Sequence, residues 1–218
     1  MEPTIIKFVI DSATNTVRCN HFDVTINCSY NAYDITDISC SENNIFIADN
    51  WALYAYDMNG TNTRELQMNG DFRISAVLQG FVYVFVGEAN VYHDHCLVYD
   101  EELNFIRKIE RCNSIIITYK ESLLMLNTAT RKITDELLSE EVDAPEFIGN
   151  LYENDGIQYG YGLWMPRYVD DDYAYFVCDG NVVRKSHSNS ELEIIEQGFD
   201  DSYFVIKPPL SNGLKFSD

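Results

Sequence analysis

Apolar residues in this chain fall into short runs, some alternating and some continuous, each closed by Asn, Asp or Gly. The clearest are Asn44–Asp49 (NIFIAD), Trp51–Asp57 (WALYAYD), Phe81–Gly87 (FVYVFVG), Cys96–Asp100 (CLVYD), Ser114–Tyr119 (SIIITY) and Tyr173–Asp179 (YAYFVCD). Their β-branched and aromatic side chains suit a pleated, half-buried surface, and turn residues end each run. Only Asp135–Val142 (DELLSEEV) has a helical pattern, a turn or two at most. A parallel sheet would need long helical crossovers between strands, and the sequence has none. The pattern predicts an all-β chain.

The runs also repeat. One unit reads Ile35–Ser41, Asn44–Asp49, Trp51–Asp57 and Thr63–Met68, and a second reads Ile74–Gln79, Phe81–Gly87, Cys96–Asp100 and Asn104–Glu110. A looser third comprises Ser114–Tyr119, Glu121–Asn127, Arg131–Asp135 and Glu146–Leu151, and a fourth Ile157–Tyr168, Tyr173–Asp179, Asn181–Ser186 and Glu191–Gln197. First strands begin near residues 35, 74, 114 and 157, with another candidate at Ser202, giving intervals of 39 to 45 residues. That period, with four strands per unit, is the blade signature of a β-propeller. Ser202–Lys207 reads as a first strand with nothing after it. Thr4–Asp11, Thr16–His21 and Phe22–Cys28 read as second, third and fourth strands without a first. Joined, they complete a fifth blade. The expectation is one domain over residues 1–218, a five-bladed propeller of four-stranded antiparallel blades closed by the two chain ends. An irregular acidic insertion covers about 133–166. A β-sandwich would share the many short strands, but the near-constant period favours the propeller.

Charge narrows the function. Fifteen Lys and Arg against 35 Asp and Glu leave a net charge of −20, which repels nucleic-acid phosphates and anionic lipid and steers cationic partners. No eighteen-residue apolar run occurs, and Met1–Thr4 lacks the basic and apolar regions of a secretory signal. The six cysteines form no C-x-x-C pair and mostly sit in strand-like runs, so free thiols in a cytoplasmic, reducing compartment are expected. The sequons at Asn27 and Asn59 carry no meaning there.

The aromatic-Asp endings Tyr56-Asp57 and Tyr99-Asp100, on blades of this spacing, resemble the WD-repeat and quinoprotein-like propeller superfamily. Among small five-bladed members, the resemblance implies either a carbohydrate-binding lectin or a compact interaction platform.

Function on such a scaffold belongs to loops at one end of the central channel. Between-blade loops would present Asp34, Asp71, Arg111, Glu153, Asp155, Asp200 and Asp201. Loops between second and third strands would present Asp49, Asn50, Glu88, His93, Asp94, Asp179 and Asn181. Acid predominates, which suits a basic peptide, a hard cation or acid–base hydrolysis. Asp and Asn also favour turns for their own sake. His93-Asp94-His95-Cys96 has metal-ligand residue types but no third ligand in view. Ile133–Pro166 holds eight acids, no Lys or Arg, and the aromatics Tyr159, Tyr161 and Trp164. Nucleophile elbow, phosphate-binding loop and H-E-x-x-H signatures are all missing. The expectation is a non-enzymatic binding module with no cofactor or metal. Asp34, Asp49, Asp71, Glu88, Asp94, Asp155, Tyr161, Trp164, Asp179, Asp200 and Asp201 would engage a protein partner with a basic surface. A lectin-like binder of a small polar ligand and a carboxylate-dependent hydrolase are the alternatives.

Overall fold

Chain reversal after every short strand gives antiparallel meanders. The computed structural model describes residues 2–68, 71–87, 95–110, 114–120, 122–127, 130, 132–135, 142–143, 166–178, 180–189, 191–199 and 201–209. Strands β1 (Thr4–Asp11), β2 (Thr16–Cys19) and β3 (Val24–Asn27) form a sheet whose remaining edge is β20 (Ser202–Lys207), in the order β20-β1-β2-β3. The next sheet runs β4 (Asp37–Cys40), β5 (Asn44–Ala48), β6 (Ala52–Asp57), β7 (Asn62–Gln67). It is followed by β8 (Asp71–Leu78), β9 (Phe81–Gly87), β10 (His95–Asp100), β11 (Phe105–Glu110). The fourth sheet has eight strands. β12 (Ser114–Tyr119), β13 (Ser122–Asn127), β14 (Lys132–Asp135) and β15 (Val142–Asp143) form one half. β16 (Tyr168–Val169), β17 (Tyr173–Cys178), β18 (Asn181–Ser186) and β19 (Leu192–Glu196) form the other. A single parallel bridge, Tyr119 to Val169, joins β12 to β16; all other neighbours are antiparallel.

The pairing of the chain ends is as the sequence suggests: β1 and β20 run in register from Thr4↔Lys207 to Val9↔Ser202. Most strand limits shift by a residue or two, β8 starts three residues early at Asp71, and of the expected strand Ile157–Tyr168 only its last residue lies in β16, residues 157–165 being outside the described residues. The strand beside β14 is Val142–Asp143, paired through Ile133↔Val142, whereas Glu146–Leu151 lies outside the described residues. The expected helical stretch Asp135–Val142 has its two ends in β14 and β15, and residues 136–141 between them also lie outside.

Burial explains the strands. β1 buries every second side chain, Ile6, Phe8 and Ile10, while β5 and β6 are buried almost continuously because both faces are covered. Outer strands β7 and β19 are almost wholly exposed. The apolar clusters join consecutive sheets. Ile6, Phe8 and Val17 pack with Ile38, Ile47 and Tyr54, and Phe46 and Leu53 with Phe72 and Val84. Tyr83 and Phe85 pack with Leu123 and Met125. Tyr168 and Tyr175 return to Phe204 and Ile206 of β20. Residues of β4, β8, β12, β20 and Arg167, which precedes β16, surround one narrow cavity of about 40 Å³. It has room for water and none for a sugar ring.

The aromatic-Asp endings are turn devices. Asp57 Oδ1 accepts from the backbone N–H groups of Asn59 and Thr61 at 2.9 and 2.8 Å, and Asp100 Oδ1 from Asn104 at 2.7 Å. These bonds hold both carboxylates below the usual range, Asp57 chiefly through Thr61 and Asp100 chiefly through the Asn104 side chain. The β6–β7 turn also packs on the neighbouring sheet: a Cβ on Gly60 (φ +78°) would lie 2.6 Å from the Thr25 carbonyl oxygen of β3. Cys19, Cys28, Cys40 and Cys96 are free thiols, and burial pushes Cys40 up to about 12. Among the described residues, no helix is long and apolar enough to cross a membrane.

Two outcomes follow. Gly60→Ala should destabilise by more than about 1 kcal/mol, since it adds left-handed strain to a backbone collision; urea melts of the full chain measure it. Removing residues 201–218 strips β1 of one of its two neighbours and should abolish the cooperative melt, read by far-UV circular dichroism against temperature.

Candidate functional site

Antiparallel alternation sends the turns after β1, β3, β5 and β19 to one common end of the sheets. Ile10 N–H bonds to the Asp201 carbonyl at 2.9 Å, fixing the β19–β20 connection beside the β1–β2 turn. Asn15 organises this end. Its backbone takes a left-handed φ of 56°, tolerated by asparagine. Its Nδ2 donates to the carbonyls of Cys28 (2.8 Å) and Tyr30 (2.6 Å), and its Oδ1 accepts from Ala32 N–H (2.7 Å). One amide thus shapes the whole β3–β4 connection. Tyr30 stacks beneath on Tyr54, centroids 4.1 Å apart and 20° from parallel. The 3₁₀ turn Ala32–Asp34, with Asn31 accepting from Tyr33 N–H, leaves the Tyr33 ring 76% exposed.

Tyr33 overhangs an open groove of about 520 Å³ whose walls include Asp11, Arg18, Asp201 and Tyr203. That volume lies in the range of small-molecule and side-chain pockets. Asp11 Oδ1 accepts from Ala13 and Thr14 N–H at 3.0 and 3.1 Å. Hydrogen bonding to Thr14 holds it below the usual carboxylate range, so it is anionic at neutral pH. Tyr203 donates to the Ile35 carbonyl at 2.7 Å, and burial pushes its hydroxyl above the ordinary tyrosine value.

Two more aromatics project at this end. Trp51 is 70% exposed because the β5–β6 turn is fastened beneath it by Asp49. Asp49 Oδ1 accepts from Trp51 and Ala52 N–H, both at 2.7 Å, and its Oδ2 from Tyr54 Oη at 3.0 Å. Phe199 is 77% exposed. Its loop turns at Gly198, where any Cβ would collide with the Gly180 carbonyl, and Lys7 Nζ sits 5.6 Å from its ring centroid.

The residues chosen from sequence fall out unevenly. Asp201 lines the groove; Asp34 sits half-buried in the 3₁₀ turn between the groove residues Tyr33 and Ile35. Asp49 is buried, with both oxygens occupied within its own hairpin. Asp71 begins β8, paired with Gly87, because burial of Phe72 opposite Val86 carries the ladder past the expected start. Glu88, Asp94, Asp155, Tyr161, Trp164, Asp179 and Asp200 lie outside the described residues. Tyr33, Trp51, Phe199, Asp11 and Asn15 were not singled out. For the three aromatics the signal is a ring in or beside a turn with Asn, Asp or Gly, as in Asn31–Asp34, Asp49–Trp51 and Gly198–Asp200.

Arg167 in the cavity wall and Asp37, next to the lining residue Ile38, form a pair that was also not singled out. Arg167 Nη1 reaches Asp37 Oδ2 at 3.4 Å and the Ile74 carbonyl at 3.5 Å, tying the segment before β16 to β4 and β8. Burial pushes the Asp37 carboxyl up, only partly opposed by Arg167, the Ile38 N–H and Arg73. The folded state therefore holds this proton to higher pH than the unfolded chain, and stability falls as pH rises from about 4 through the folded value. The melting temperature of Asp37→Asn should accordingly gain on the wild type from about pH 4 upward, in thermal melts across pH 4–7.

Among the described residues, no cluster of three or more His, Cys, Asp or Glu could hold a metal; His93 and Asp94 lie outside them. No protein-family model matches the chain, and no curated protein matches it in sequence. Among solved structures, the AfRom2 CNH domain is similar at 12% identity, over 88% of this chain and 84% of that one, with a TM-score of 0.43. The Neurospora crassa Pan2 WD40 domain is 6% identical over 88% of this chain and 65% of that one, TM-score 0.39. Kluyveromyces lactis Hsv2p is 14% identical over 77% and 53%, TM-score 0.41. The chain spans less than two thirds of the last two structures.

Proposed function

We propose that this chain is a five-bladed propeller serving as a non-enzymatic binding module, whose acidic, aromatic loop end engages a protein partner with a basic surface. The blade count is supported by the cavity shared among β4, β8, β12, β20 and Arg167. It is also supported by apolar clusters that pass from sheet to sheet and return to β20. Free thiols suit a reducing, cytoplasmic setting.

The observation that carries the functional reading is the groove walled by Asp11, Asp201 and the exposed Tyr33, on the end that also projects Trp51 and Phe199. Exposed aromatics give contact area at low entropy cost, and carboxylates beside them attract Lys or Arg, which can then stack on the ring. Asp11 is held ionised by its turn, which suits a cation and supplies no general acid. The net charge of −20 adds long-range steering. The groove's volume also suits a small polar ligand such as a sugar.

Selection from a displayed random-peptide library is expected to enrich Lys or Arg beside an apolar residue. Binding of an enriched peptide should weaken several-fold from about 0.05 to about 0.15 M salt. Tyr33→Ser and Trp51→Ser should each weaken it about tenfold with unchanged melting temperature. In a Trp164→Phe chain, Trp51 emission reports the contact directly. Enrichment of uncharged peptides, or binding indifferent to salt, contradicts the reading. Salt-independent binding of a free sugar would move the assignment to the small-ligand alternative.

A further inference from the structure

A cation in the wall of an acidic groove works against basic partners, and the groove walled by Asp11 and Asp201 holds one, Arg18. The β1–β2 ladder puts it there. Val9 pairs with Arg18 and Asp11 with Thr16, so Arg18 is the diagonal neighbour of Asp11 on one face, roughly 7 Å across the ladder. Asp11 feels its charge through space, yet among the described residues the Arg18 guanidinium makes no hydrogen bond or ion pair. The Asp201 carboxylate makes none there either, and both residues are exposed. Asp11 bonds to its turn through Oδ1 and keeps its charge. An arginine serving only to relieve repulsion between the two carboxylates would lie against one of them. The groove thus offers two anions and one separate cation to whatever enters it.

We infer that the groove takes the C-terminal residue of the partner chain, a Lys or Arg, with Arg18 binding its free α-carboxylate and Asp11 and Asp201 its side-chain cation. The inference rests on the partner-binding reading above and names the part of the partner that enters. One residue then carries both kinds of charge. An internal acid beside an internal base serves less well, because successive side chains of an extended segment point to opposite sides. A chain end presents its main-chain carboxylate and its side chain together. Arginine suits the carboxylate, since a guanidinium binds it through two parallel N–H···O bonds. A groove of about 520 Å³ holds such a residue, and the exposed Tyr33 ring gives its alkyl stem a surface to lie on.

Peptides that differ only at their ends test the inference. The probe is an acetylated peptide ending in Leu-Lys, made with a free carboxylate, with a terminal amide, and with a Gly-Ser extension beyond the lysine. Titration calorimetry with the full chain gives each Kd. The free acid is expected to bind about tenfold more tightly than the other two, the scale of one hydrogen-bonded charge pair. In Arg18→Gln the free acid should fall to the affinity of the amide, with the amide bound no more weakly than before. Arg18→Lys should keep part of the preference, as a point charge without the fork. Both substitutions fall at an exposed strand position, and melting temperatures like the wild type show that the fold is intact. Equal binding of the three peptides overturns the inference and leaves the partner reading standing. So does a preference for the free acid that persists in Arg18→Gln. Free lysine bound as tightly as the free-acid peptide also overturns it, since the groove then serves a small ligand. If none of the three peptides binds, the reading of the groove as a site for basic partners falls as well.

Discussion

The antiparallel pairing of β1 with β20 is the constraint on which the rest depends. Its six residue pairs join segments nearly the whole chain apart. That distance matters less than it first suggests: closing roughly 200 residues rather than 20 costs only about 2 kcal/mol more. Burying Ile6, Phe8, Phe204 and Ile206 contributes on the order of 1.5–3 kcal/mol each, so packing decides the outcome. With β20 in place, Phe204 and Ile206 meet Tyr168 and Tyr175, and Val205 meets the cluster running into β4. The same strand also sets the candidate site, because Asp201 and Tyr203 at its start form part of the groove wall.

Two polar side chains and one glycine then fix the loop end. Asn15, Asp49 and Gly198 each settle one connection, and each settled connection exposes one aromatic: Tyr33, Trp51 and Phe199. Turns fastened beneath exposed rings would keep the entropic cost of the proposed binding low.

What local sequence determines was readable, and what distance determines was not. β5, β6, β9 and β17 follow from short aromatic and β-branched runs, and the joined chain ends from two complementary incomplete sets of strands. Val142–Asp143 as the partner of β14 was missed, since a two-residue strand has no period. Asp37 and Arg167 lie 130 residues apart, and nothing near either residue announces the other. Asp34 and Asp201 were chosen because acids in connections were sought; Asp201 lines the groove and Asp34 sits between two groove residues. Asp49 was found for the same reason, yet it is buried as a turn acceptor, the role Asp and Asn take in tight turns anyway. Trp51 was read as a strand residue because it adjoins β6; its exposure comes from the Asp49 turn, one residue earlier than the strand.

Amide hydrogen exchange of the intact chain tests the closure most directly. If β1 and β20 complete a sheet on which the others depend, amides of Phe8, Phe204 and Val205 should exchange only with global unfolding, at the same slow rate as those of Ile47 and Leu53. Exchange of the β20 amides at loop rates, while β5 and β6 remain protected, would contradict the account.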